Sequence, residues 1–149
     1  ASQIWAFPTD WSVSKWDGKK LGKKVEKLEK IALGAAEQSK RNFVPSITLF
    51  EKKADFLAQL SQFDRIVVAY EESAKEGESA ALIQAVAGLE KGAKLLFIFG
   101  PEGGLSPAEI ESFEAKGAVL AGLGPRILRA ETVPLYALSA ISVLLELEK

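Results

Sequence analysis

The sequence predicts an α/β fold: a mostly parallel sheet with helices on both faces. Three observations carry this. Residues 65–70 (RIVVAY), 94–99 (KLLFIF) and 118–123 (AVLAGL) are short continuous apolar runs, the type expected of strands covered on both sides. Segments with helical apolar spacing alternate with them, the order that yields parallel strands joined by crossover helices. Two of the loops that leave those strands, GPEGG at 100–104 and GPRILRAET at 124–132, are unusual in composition.

Taken in order, residues 4–7 (IWAF) are short, apolar and aromatic, a first strand. Residues 9–20 read as a loop, with Trp11 and Trp16 in a polar setting. Leu21, Val25, Leu28, Ala32, Ala35 and Ala36 then form one apolar stripe, giving a long helix over about 20–40. Lys23, Lys24, Lys27 and Lys30 alternate with Glu26 and Glu29 on its other faces. Two readings of that surface stay open, a solvated face with i,i+4 pairs or a phosphate-facing one. Residues 43–47 (FVPSI) are extended, because Pro45 disfavours helix at Val44. A short helix is expected over 54–60, the first buried strand over 65–70, and a charged surface loop over 71–79.

A helix over 81–89 leads to the second buried strand. Ser106, Pro107 and Glu109 spell an N-cap, a first-turn proline and a capping box, and Gly117 suits the end of that helix. After the third strand, Thr132 is an N-cap candidate for the last helix, which accepts Pro134 in its first turn. That helix carries Leu135, Leu138, Ile141, Val143, Leu144, Leu145 and Leu147, apolar on nearly every side, which places it in a core or in a subunit interface.

Composition narrows the chemistry. A chain of 149 residues fits one domain over 1–149, and a chain that size buries roughly 70% of its unfolded surface. There is no Cys and no His, so thiol nucleophiles, imidazole bases, disulfides and the common zinc sets are excluded, and no metal site is expected. Catalysis must run on acids, Lys, Arg, hydroxyls, backbone amides or a reactive cofactor. Net charge is −1, without the global basic signature of nucleic-acid binding, although a local patch is compatible with it. No apolar run approaches the ~20 residues of a membrane span, and no secretory signal is visible, so a cytoplasmic location is expected. The absence of methionine suggests that Ala1 is not the natural start.

Ligands of open parallel sheets sit outside the carboxyl ends of the strands. Residues 100–104 match neither a P-loop nor the dinucleotide Gly-x-Gly-x-x-Gly, so pyrophosphate is not the indicated ligand. Taken alone, the segment is equally a tight strand-to-helix turn. In the second loop, Ile127 and Leu128 stand between Arg126 and Arg129 where exposure is expected, which points to packing against a ligand ring or another segment. Glu131 is a partner for either arginine.

FGPEGGLSPAEI (99–110) followed by LGPRILRAET (123–132) and a terminal apolar helix closely resembles the 16S ribosomal RNA uridine-N3 methyltransferases, a family of the knotted SPOUT class. SVSKWDGKK (12–20) and AAEQSKR with the following VP (35–45) resemble the same family, so the likeness covers essentially the whole chain. It implies a parallel sheet whose C-terminal part is tied in a deep trefoil knot, a homodimer, and S-adenosylmethionine as methyl donor. Transferred residue by residue, Phe99, Gly100, Gly103 and Gly104 form one wall of the cofactor site, and Leu123, Gly124, Ile127, Leu128, Arg129 and Thr132 supply the rest. The chemistry is coherent. Apolar side chains can sandwich a flat neutral adenine while backbone groups read its edge. A cofactor that brings its own electrophile needs no protein nucleophile.

For negative charge developing on the uracil, Arg41, Arg126 and Arg129 are the candidate cations, with Glu131 as proton acceptor or as orienter of Arg129. Members of the family carry an N-terminal β-barrel RNA-binding domain before the methyltransferase domain. The resemblance therefore implies a chain truncated at its N-terminus, able to hold the cofactor but not expected to act on 16S ribosomal RNA alone. Two alternatives remain: a SPOUT enzyme for ribose hydroxyls or transfer RNA, and a non-catalytic knotted module for dimerisation or RNA binding.

Overall fold

The computed structural model describes residues 1–12, 17–72 and 80–147. Trp16 and, beyond Glu72, the expected charged loop lie outside the described residues. The chain divides into two compact units, Ala1–Pro8 with Ser12–Ala58, and Thr9–Trp11 with Gln59–Lys149.

The first unit contains β1 (Gln3–Ala6), α1 (Gly18–Gln38), β2 (Ser46–Leu49) and α2 (Lys53–Ala58). Helix α1 begins where the Asp17 carboxylate accepts the Lys20 N–H at 3.0 Å, an N-cap the sequence reading passed over. Ala32 and Ala36 of the expected stripe are buried, whereas Lys23, Lys24, Lys27 and Lys30 are exposed. The helix closes through Lys40 at φ 56°, with Lys40 N–H on Glu37 O and Arg41 N–H on Ala36 O. That is the Schellman pattern with lysine where glycine is usual. Within and beyond the extended stretch expected at 43–47, strand pairing starts at Ser46, past Pro45, whose nitrogen has no hydrogen to give a ladder. β1 and β2 run parallel in the register Gln3↔Ser46 to Ala6↔Leu49. Phe7 stacks on buried Phe56 at 4.1 Å between centroids, with Trp5 and Phe50 edge-on to the same ring.

The second unit contains a 3₁₀ turn (Leu60–Gln62), β3 (Arg65–Ala69), α3 (Ala81–Val86), β4 (Leu95–Ile98), α4 (Pro107–Ala115), β5 (Val119–Ala121), α5 (Val133–Ser142) and a π turn (Val143–Leu147). The sheet order is β4-β3-β5, and both pairings are parallel. Central β3 has Ile66, Val67 and Val68 buried, as its β-branched run requires. Val67, Ala121, Leu82, Ala85 and Val86 form a core cluster, with Ala140, Ile141, Leu144 and Leu145 packed against it. Gly117, at φ +88°, ends α4 as expected.

Three expectations change. The strands form two hydrogen-bonded sheets instead of one, because apolar runs identify strands but not their partners. Thr132 makes no side-chain cap: at φ −84° and ψ −31° it is already helical, since Thr132 and Val133 N–H both bond to Arg129 O. Strands β4 and β5, expected to be covered on both sides, are only partly buried, with Ile98 and Ala121 as their buried residues. The terminal segment changes to π geometry after Ser142 and leaves Leu135, Leu138, Val143 and Leu147 exposed, which keeps open the interface alternative expected for it.

Candidate functional site

Parallel pairing brings the carboxyl ends of β3, β4 and β5 to one edge of the three-stranded sheet. The segments leaving those ends enclose a cleft of about 580 Å³, within the size range of small-molecule sites. Tyr70, Glu71 and Glu72 contribute from β3, the 100–107 segment from β4, and residues between Leu123 and Val133 from β5.

The glycine segment is a tight turn in which Gly104 N–H donates to Pro101 O at 2.8 Å, with Gly104 at φ +81°. Gly100 is glycine for packing: an added Cβ would stand 3.0 Å from Leu105 Cγ and 3.3 Å from Leu105 N. At Gly103 the added atom would meet the Trp11 carbonyl oxygen at 3.3 Å. The visible demand for these glycines therefore comes from the protein's own atoms as well as from any ligand. Gly124, at φ +89°, provides the corresponding left-handed position in the second loop, 3.3 Å from the Tyr136 hydroxyl if given a Cβ.

Helix α4 anchors the turn. Ser106 Oγ accepts the Glu109 N–H at 3.2 Å, and Glu109 Oε1 accepts the Ser106 N–H at 2.9 Å, the capping box expected from the sequence. The structure extends it. Ser106 Oγ donates to Asp10 Oδ2 at 2.5 Å, and Asp10 N–H donates to Glu109 Oε2 at 3.3 Å. Glu109 is 2% exposed, so this is a buried carboxylate whose two oxygens both accept hydrogen bonds.

Of the residues singled out from the sequence, Gly100, Gly104, Leu123, Gly124, Arg126 and Leu128 line the cleft. Phe99 stacks on Phe97 at 4.8 Å, and Gly103 lies under Trp11. Ile127 is 82% exposed. Arg129 and Glu131 are a solvated pair 3.9 Å apart, and Thr132 is an exposed residue of the turn into α5. Arg41 belongs to the first unit, in the turn that closes α1, and its side chain is exposed. Trp11, Leu105, Ala130 and Val133 line the cleft without having been singled out for it. Trp11 had a legible signal, a large aromatic in a polar segment. Leu105 and Val133 had none, because an apolar residue beside a loop reads the same in a core. No group of three or more acidic residues in metal-binding proximity occurs among the described residues.

Residues 1–142 match the family model of the RNA methyltransferase domain. The chain is 54% identical over 141 residues to the ribosomal RNA small subunit methyltransferase E of Bacillus subtilis, covering 95% of this chain and 55% of that protein. A crystal structure of a hypothetical protein superposes with a TM-score of 0.89 at 47% identity, over 100% of this chain and 58% of its own. The Neisseria gonorrhoeae ribosomal RNA small subunit methyltransferase E, solved bound to S-adenosyl methionine, superposes with a TM-score of 0.75 at 25% identity, over 96% of this chain and 55% of that one. The chain thus spans about half the length of the relatives it matches. With its family model covering all but the last residues, the chain belongs to the RNA methyltransferase domain family.

Proposed function

We propose that this chain is the catalytic domain of an S-adenosylmethionine-dependent methyltransferase that modifies N3 of a uridine in small-subunit (16S) ribosomal RNA. The observation that carries the reading is the single cleft walled by both motif loops at the carboxyl ends of β3, β4 and β5. The fit to the cofactor is chemical. Leu105, Leu123, Leu128 and Val133 offer apolar surface to an adenine, and the glycines at 100, 104 and 124 expose backbone groups for its edge. Glu71, Glu72 and Glu102 line the same space and suit a ligand carrying positive charge on its sulfonium and amino groups. When bound, the cofactor supplies the electrophilic methyl group.

The chain's own residues then position and stabilise. The cleft walls would orient the uracil toward the methyl group, and as the N3–methyl bond forms and the sulfur–methyl bond breaks, the N3 proton would leave to solvent or to a nearby carboxylate. Arg126, lining the cleft, is the favoured cation for charge developing on the uracil oxygens. Arg129, solvated and beside Glu131, is the weaker candidate for that role. We further propose helices on both sheet faces, a knotted C-terminal segment, and a homodimer that uses the exposed apolar residues of α5.

Titration calorimetry of this chain with S-adenosylmethionine, followed by mass spectrometry of nucleosides from small subunits treated with a protein that joins it to an RNA-binding domain, tests the reading. Cofactor binding and N3-methyluridine are expected. Arg126→Ala should retain cofactor binding while slowing transfer roughly a hundredfold or more. A folded chain without cofactor affinity would refute the proposal, and methylated ribose would redirect it to another RNA target.

A further inference from the structure

Trp11 is not explained by the cofactor reading. Its indole lines the cleft yet is 52% exposed, an unusual position for so large an apolar surface. Among the described residues no other ring stacks on it, whereas Phe97 pairs with Phe99 and Phe7 with Phe56. The residue is nonetheless held in place. Its carbonyl oxygen lies 3.3 Å from where a Gly103 Cβ would be, and its Cζ3 lies 3.9 Å from the corresponding point on Gly104. Next to it, Asp10 is tied to Ser106 and to buried Glu109 by a side-chain and a backbone hydrogen bond. The result is a half-open aromatic surface resting on a turn that two glycines keep free of side chains.

Among the described residues, the charged groups lining the cleft are Glu71, Glu72, Glu102 and Arg126. A flat neutral base can enter beside groups of either sign without a charge clash. Aromatic side chains take bases on their π-faces, at about 1–3 kcal/mol per base when tested by alanine substitution.

On these grounds, and resting on the methyltransferase reading, we propose that Trp11 is the stacking platform for the RNA base delivered to the cleft. In this role the Asp10–Ser106–Glu109 network is a positioning device that presets the indole.

The test measures binding of a short uridine-rich single-stranded RNA, in the presence of S-adenosylhomocysteine, to the chain and to its Trp11→Ala and Trp11→Phe variants. S-adenosylmethionine affinity is measured on each in parallel. Trp11→Ala should weaken RNA binding by about 5- to 150-fold, the range that a lost stacked base implies. Trp11→Phe should stay within about threefold of wild type, because a smaller π-face remains. Cofactor affinity should be the same in all three. An unchanged RNA affinity in Trp11→Ala, a wild type that binds cofactor but not this RNA, or equal losses in both variants would overturn the proposal. So would a loss of cofactor affinity matching that of RNA, which would put the indole on the cofactor. A wild type that fails to bind S-adenosylmethionine would count against the methyltransferase reading instead, so the two failures are distinguishable.

Discussion

Gly104 and Gly34 show how differently one residue type is used. Gly104 sits at φ +81° in the turn that walls the cleft, a region where an L side chain is strained. Gly34 lies in the middle of α1 with nothing within 4 Å of an added Cβ. Alanine at 104 meets only ordinary contact with Trp11, so its penalty is conformational, about 1–2 kcal/mol for the left-handed region. Alanine at 34 removes backbone entropy from the unfolded chain and should stabilise by roughly 0.5–1 kcal/mol. Thermal unfolding should move in opposite directions for the two variants, by about 2–4 °C per kcal/mol in a chain of this length. A lower melting temperature for Gly34→Ala would contradict the helical assignment. The motif glycines were visible in the sequence, but their separate reasons were not. Gly100 answers to Leu105 and Gly103 to Trp11, contacts made between residues of different segments or across a turn whose path the sequence does not state.

Helix α4 is the element that fixes the cleft, and its start rests on Ser106. Removing the hydroxyl deletes the acceptor of Glu109 N–H and the donor to Asp10 together. Ser106→Ala should cost about 1–2 kcal/mol, at the upper end of N-cap losses because the site is buried. Asp10→Ala leaves the capping box intact and removes a carboxylate from an exposed residue, so its loss should be smaller. Urea unfolding of both variants makes the comparison. Equal losses would show that the link to Asp10, not the cap, carries the stabilisation.

The capping box was legible because it is local: four consecutive residues contain the donor, the acceptor and the proline. Strands β3, β4 and β5 were legible for a similar reason, their apolar runs being continuous. What escaped was non-local. The bond from Ser106 to Asp10 joins residues far apart in sequence, and the pairing of β1 with β2 alone depends on partners that periodicity does not name. Thr132 misled because its residue type suits a cap, whereas the preceding turn on Arg129 O had already set helical geometry.

At the scale of the molecule, the unresolved term is the apolar surface that one chain leaves uncovered. Leu135, Leu138, Val143 and Leu147 are 67%, 45%, 46% and 73% exposed, all within α5 and the π turn that follows. Side chains of this kind gain about 1.5–3 kcal/mol each when fully buried, so exposing several on one segment is costly for a monomer. Net charge is only −1, which offers little repulsion between copies. A second copy of the chain is the partner that the proposed homodimer supplies, and Leu138 is the most informative position to disturb. Aspartate at 138 would place a charge in the interface with no built partner, while in a monomer the same residue would be solvated at little cost. Sedimentation equilibrium should therefore find wild type as a dimer at micromolar concentration and Leu138→Asp as a folded monomer with unchanged far-ultraviolet circular dichroism. A wild type that sediments as a monomer would leave these leucines for another partner and remove the dimer from the proposal. A variant that remains dimeric would move the interface away from α5.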